Sequence, residues 1–161
     1  MRSLEEKIIS RDRLEELCEE IRSRGKTIVT TKGCFDLLHL GHITYLVEAK
    51  KLGDFLLVGI NSDNSVRKLK GPNRPIQSEL VRAKQMSALE SVDFVTIFPE
   101  DTPEAFLKIV KPHIHAKGGD YSPEALPEKK IVELHGGKIV CLSLIEGFST
   151  TRLIEQMKVS S

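Results

Sequence analysis

The stretch that most constrains the fold is Thr27 to Lys51, TIVTTKGCFDLLHLGHITYLVEAKK. It opens on Thr27-Ile28-Val29-Thr30-Thr31, a β-branched run with the composition of a buried strand. A small-residue turn through Lys32, Gly33 and Cys34 follows. Then Phe35-Asp36-Leu37-Leu38-His39-Leu40-Gly41-His42 leads into a helical pattern carried by Ile43, Leu46 and Val47. A strand, a tight turn and a helix start in succession gather unbonded backbone N–H groups around an anion. His39 and His42 stand at that junction, on a spacing that lets them face one way. Gly41 between them allows a bulky group to approach the backbone. The plainer alternatives are two ordinary turn histidines, or a metal site using Cys34, His39 and His42. The second is disfavoured, because a tetrahedral ion needs a fourth ligand and neither Cys18 nor Cys141 has a C-x-x-C partner.

The rest of the chain alternates strand and helix signals. Residues 1–26 read as a lead-in, polar over 1–10 and then helical from Arg11 to Arg24, with Leu14, Leu17, Cys18 and Ile21 as its apolar stripe. Residues 27–161 read as the main domain. Phe55-Leu56-Leu57-Val58-Gly59-Ile60 is a continuous apolar run, the mark of a central parallel strand, and it ends at the polar residues Asn61-Ser62-Asp63. Val66 to Pro75, VRKLKGPNRP, reads as a basic loop suited to phosphates, with Arg67 pointing to solvent. Further strands are expected over Val92–Phe98, Ile114–Lys117 and Lys138–Leu144, and further helices from Ser78 or Glu79, over Glu104–Val110, Ala125–His135 and Arg152–Met157. Five strands alternating with helices predict a single doubly wound parallel α/β sheet. Right-handed crossovers then bring Gly33–His42, Asn61–Asp63, Lys117–Asp120 and Gly147–Thr151 to one sheet edge, where such folds bind ligands.

The window from Gly33 to His42 resembles the HxGH nucleotidyltransferases, whose first strand-to-helix turn reads G-x-F-D-x-x-H-x-G-H. Gly33, Phe35, Asp36, His39, Gly41 and His42 all match. Within that superfamily, Lys117-Gly118-Gly119-Asp120-Tyr121 is similar to the K-G-G-D-Y of the heptose-1-phosphate adenylyltransferases, the second domain of the bifunctional ADP-heptose synthesis enzymes. Lys70-Gly71 with Arg74-Pro75 is similar to their L-K-G-x-x-R-P loop. Gly147-Phe148-Ser149-Thr150-Thr151 matches the G-x-S-T-T common to the wider group. Lys32 departs from the family's usual Asn, and the kinase domain of the fused enzymes is not in the sequence, which suggests a stand-alone transferase.

The resemblance implies a Rossmann-like nucleotidyltransferase fold and transfer of AMP from ATP to a heptose 1-phosphate, giving ADP-heptose for lipopolysaccharide or surface glycan synthesis. A cytidylyltransferase acting on glycerol 3-phosphate or another small phosphate ester is the alternative. His39, His42 and Lys70 are the expected catalytic residues. Nucleotide binding is expected at Gly33, Cys34, Phe35, Gly41, Lys117, Gly118, Gly119, Asp120, Ser149, Thr150 and Thr151, and substrate binding at Asp36, Arg74 and Arg82. Mg²⁺ is expected to arrive with ATP rather than in a protein cage. A homodimer or larger homo-oligomer is also implied. His113, His115 and His135 carry no pattern and read as structural or surface residues.

Composition sets the outer limits. In 161 residues, 24 Lys and Arg balance 23 Asp and Glu, which argues against a general nucleic-acid or membrane-surface binder. Three cysteines without pairing pattern suggest a reducing compartment, and no apolar run or amino-terminal leader suggests export, so a cytoplasmic protein is expected. A non-catalytic nucleotide-binding regulator on the same sheet is disfavoured because His39, His42 and Lys70 are all present.

Overall fold

The computed structural model describes residues 1–119 and 122–160. Five parallel strands form one sheet: β1 (Ile28–Gly33), β2 (Phe55–Asn61), β3 (Phe94–Phe98), β4 (Ile114–Gly118) and β5 (Lys138–Leu142), in the order β3-β2-β1-β4-β5. The strand order reverses between β1 and β4, and that reversal opens the crevice where doubly wound sheets take ligands. The helices are α1 (Leu4–Lys7), α2 (Arg11–Ser23), α3 (Leu40–Lys50), α4 (Asp63–Lys70), α5 (Glu79–Ser87), α6 (Glu104–Val110), α7 (Lys129–Leu134) and α8 (Thr150–Ser160).

Strand alternation divides the core into two layers. Val29, Leu56, Val58, Ile60 and Ala116 pack on one face with Tyr45, Leu46 and Ala49 of α3 and Ala83 and Met86 of α5. Ile28, Leu57, Phe94 and Phe98 pack on the other with Leu14, Cys18 and Ile21 of α2, Phe106, Leu107 and Val110 of α6 and Val132 of α7. The amino-terminal segment is tied to this core. Ile8 bridges Val95, the Ile9 N–H donates to the Val95 carbonyl at 2.8 Å, and the buried Lys7 donates to the Leu89 carbonyl at 3.1 Å.

The stretch expected as a basic loop differs. Ser62 caps α4 by accepting from the Ser65 N–H, and Val66 to Lys70 are helical, with Val66 buried and Gly71 ending the helix at φ 105°. Arg67 is exposed and donates to Asn64, as read from sequence. Helix α7 is shorter than expected and follows a single 3₁₀ turn over 123–125. Among the described residues, no helix is long and apolar enough to cross a membrane.

Candidate active site

The turn after β1 is shaped by three aromatic rings. Phe35 adopts φ 48°, in the left-handed region that non-glycine residues rarely enter. Its ring packs edge-on to His42 at 5.2 Å, and a Cβ on Gly33 would meet that ring at 2.9 Å. His39 is the N-cap of α3, and its Nδ1 accepts from the His42 N–H at 3.4 Å. That bond leaves the proton on Nε2 in the neutral ring. The two imidazoles stack at 3.8 Å with 23° between planes, and a Cβ on Gly41 would strike the His39 ring at 2.9 Å. Gly41 is therefore small so that the cap histidine can fold back over the helix start.

These residues form one wall of a cavity of about 550 Å³ at the carboxyl ends of β1 and β4. The amino ends of α3 and α8 both open on it. Lys70 reaches it from the last turn of α4, exposed to solvent. Leu144 and Phe148 form an apolar rim, with Phe148 stacked on His39 at 6.2 Å. Gly118 lines the cavity beneath that rim, where a Cβ would meet Leu144 at 2.8 Å. Ser149, Thr150 and Thr151 also line it. Ser149 Oγ accepts from the Arg152 N–H at 3.0 Å, and Thr150 Oγ1 donates to the Leu37 carbonyl at 3.0 Å, which fastens α8 to the histidine turn.

A family profile for cytidylyltransferase-like proteins matches residues 30–160. The chain belongs to the cytidylyltransferase-like family. It is 51% identical over 151 residues to the bifunctional protein HldE of Pelobacter propionicus, covering 94% of this chain and 31% of that protein. Identity to the bifunctional protein HldE of Syntrophotalea carbinolica is 49%, again over 94% of this chain and 31% of the other. The chain thus spans about a third of the length of the curated relatives it matches. The solved structure of the lipopolysaccharide core biosynthesis protein from Thermoplasma volcanium GSS1 is similar with a TM-score of 0.64 and 32% identity, covering 75% of this chain and 98% of that one.

Within this cytidylyltransferase-like fold, the residues expected at a substrate phosphate are turned to other partners. Asp36, 1% exposed, accepts from the Arg74 Nε at 2.7 Å and from the Ile76 and Gln77 N–H groups. Burial works to raise its pKa, but the two amides and Arg74 outweigh it and hold the carboxyl below its ordinary range. Arg82 is fully buried. Its guanidinium donates to the carbonyls of Gln77 (3.0 Å), Cys34 (2.7 Å) and Asn61 (2.8 Å) and to Asp63 Oδ1 (2.8 Å), so it braces the turn instead of facing a ligand. The Cys34 carbonyl, expected at the nucleotide, is taken by that brace. Burial raises the pKa of the Cys34 thiol, which leaves it protonated and a poor nucleophile. The Gly119 N–H is likewise bonded, to the Leu142 carbonyl at 2.9 Å. Asp120 lies outside the described residues.

Residues without a sequence pattern complete the cavity. Tyr45, from the buried stripe of α3, donates to the Ala116 carbonyl at 2.9 Å and pairs with Thr31 at 2.6 Å. His115, read as structural or surface, is fully buried yet lines the floor, with Nδ1 2.8 Å from Thr30 Oγ1. A lone histidine in an apolar strand gave no signal for this position. Asn61 lines the cavity too, its side chain held by Ser65 at 2.9 Å.

The half-buried His42 and the fully buried His115 make stability pH-dependent. Burial and the neighbouring His39 push His42 down to about 4, and burial pushes His115 down to about 4. Both are neutral when folded and take up protons near pH 6.5 when unfolded. The unfolded state therefore binds more protons between pH 6.5 and 4, so stability is present above pH 6.5 and lost as pH falls through that window. The expected loss is on the order of 5 kcal/mol by pH 4, after discounting the partly exposed His42 for solvent screening. Urea midpoints measured from pH 8 to 4 check it, and a flat profile below pH 6.5 would contradict the burial argument.

Proposed function

We propose that the chain transfers AMP from ATP to a heptose 1-phosphate, releasing pyrophosphate and giving ADP-heptose. The observation that carries the reading is the stacked His39–His42 pair, held at the start of α3 on the cavity wall. An oxygen of the acceptor phosphate attacks the α-phosphorus. The bond from that phosphorus to the α,β-bridging oxygen breaks, and pyrophosphate leaves with the electron pair. The acceptor is already an anion, so no base or covalent intermediate is required. Catalysis is positioning and charge stabilisation.

His39 and His42 donate to the triphosphate, and the amino ends of α3 and α8 add N–H groups and positive dipole ends. Lys70 closes over the phosphates from the end of α4. The base rests on the Leu144–Phe148 rim, with Gly118 and Gly119 along its ribose. Among the described residues, no group of three or more His, Cys, Asp or Glu side chains gathers as a metal cage. A divalent ion, Mg²⁺ in this reading, would arrive with the ATP phosphates and neutralise part of their charge.

The heptose acceptor is supported by the K-G-G-D-Y and L-K-G-x-x-R-P segments and by the identity to proteins named HldE. The test is pyrophosphate release with each of the four nucleoside triphosphates, Mg²⁺ and a panel of sugar 1-phosphates and glycerol 3-phosphate. Turnover is expected with ATP and a heptose 1-phosphate. Turnover with CTP and glycerol 3-phosphate alone would overturn the assignment.

A further inference from the structure

The cavity has a second polar wall that the proposed triphosphate grip does not use. Strand alternation sends Thr30 and Lys32 of β1, and His115 and Lys117 of β4, to the sheet face of Ile28, opposite the face covered by α3. Lys32, His115 and Lys117 all line the cavity there. Lys117 donates to Glu128 Oε1 at 3.0 Å, and that carboxylate is 4% exposed. Lys32 has no hydrogen-bond partner among the described residues. His115, fully buried, spends Nδ1 on Thr30 and leaves Nε2 without a partner among the described residues. A buried polar atom left so costs about 1–3 kcal/mol.

Among the described residues, two ammonium groups and one carboxylate act on this imidazole. Burial and then Lys117 lower the pKa of Lys32, and the Glu128 carboxylate offsets only part of that. Meanwhile the cations expected at the acceptor are consumed elsewhere, Arg74 by Asp36 and Arg82 by three carbonyls and Asp63.

We infer that Lys32 and Lys117, with His115 beneath them, form an oxyanion subsite for the acceptor on the floor between β1 and β4. This rests on the transferase reading above and adds to it the group that holds the second substrate. An incoming phosphate or carboxylate oxygen takes its hydrogen bonds from Lys32 and Lys117, and draws on the Nε2–H that His115 presents when Thr30 donates to Nδ1. The triphosphate lies against α3 and the acceptor against the opposite wall, so the two anions approach each other across the cavity.

The test needs no turnover. Inorganic phosphate is titrated at pH 7.5 while the imidazole ¹H–¹⁵N resonances are followed, with His115 identified by its loss in His115→Gln. The same titration in the His39→Ala/His42→Ala double variant separates this subsite from the triphosphate wall. The His115 signals are expected to shift and saturate in both proteins. Half-saturation is expected to rise about tenfold or more in Lys32→Met, the effect of one charge-assisted hydrogen bond. Signals that stay put, or that move identically in Lys32→Met, would overturn the subsite. With ATP and an acceptor, Lys32→Met is expected to raise the acceptor KM about tenfold and leave the ATP KM within about twofold. A change confined to the ATP KM would also overturn it. A penalty shared by a sugar monophosphate and a sugar bisphosphate identifies the reacting phosphate as the bound group. A penalty on the bisphosphate alone identifies a second anion on the sugar. Pyrophosphate release by the unaltered protein reports on the transferase reading separately.

Discussion

Replacing His42 with alanine is expected to lower kcat by roughly 10²–10³-fold, the usual loss on removing one preorganised donor to developing charge. The ring sits between Phe35, edge-on at 5.2 Å, and His39, stacked at 3.8 Å, so its orientation is fixed before any ligand arrives. It is also uncharged at neutral pH, because burial and His39 hold its pKa at about 4. A neutral donor binds the resting triphosphate modestly and gains strength as negative charge grows on the phosphate oxygens. The loss should therefore fall mainly on kcat, with the ATP KM changing less. His39→Ala removes a donor, the stacking partner and the N-cap together, so the double variant should lose far less than the product of the single losses. Steady-state pyrophosphate release, with circular dichroism to establish retained fold, measures all three. Near-parental turnover in His42→Ala would remove His42 from the mechanism.

The parts of this molecule that were legible in the sequence are those where one local signal dominates. Phe55 to Ile60 reads as a central strand because both faces are buried, leaving no alternation to misread. The start of α3 reads from His39, Gly41 and His42 because cap, close approach and helix period coincide within a few residues. Helix α4 was hidden for the opposite reason. It has eight residues and three basic side chains in its last turn, and only Ser65 and Val66 are buried, so its apolar stripe has almost no length to repeat. The signals that mark it are its ends, Ser62 with Asp63 in front and Gly71 behind. His115 and Tyr45 reach the cavity through strand order and helix packing, which bring β4 beside β1 and α3 above both. No local pattern encodes that adjacency. The basic residues are hard to read on the same ground. A charged side chain looks like a ligand contact until the acceptors that enclose it are known, and those of Arg82 come from three separate segments.

Arg82 accordingly supplies the second large effect, on stability. Arg82→Met is expected to cost about 3–5 kcal/mol, the range for removing one partner of a buried, hydrogen-bonded charge pair, and to lower the thermal midpoint by roughly 10 °C. The methionine fills much of the volume but leaves the Cys34, Asn61 and Gln77 carbonyls and the Asp63 carboxylate without their donor. Arg82→Lys should recover little. One ammonium cannot span acceptors that the planar guanidinium reaches with three nitrogens, and its own charge would then be buried with fewer bonds. The brace joins the turn after β1 to the end of β2 and the start of α4, so its loss also loosens the segment that aims His39 and His42. Activity in Arg82→Met should fall through kcat, and cooling should restore part of it as the fold re-forms. A residue that held the acceptor's phosphate would behave differently. Its substitution would raise the acceptor KM by one to two orders of magnitude while the urea midpoint stayed in place. Equilibrium urea unfolding and acceptor KM, measured on the same preparation, therefore separate a structural brace from a substrate contact by which of the two moves.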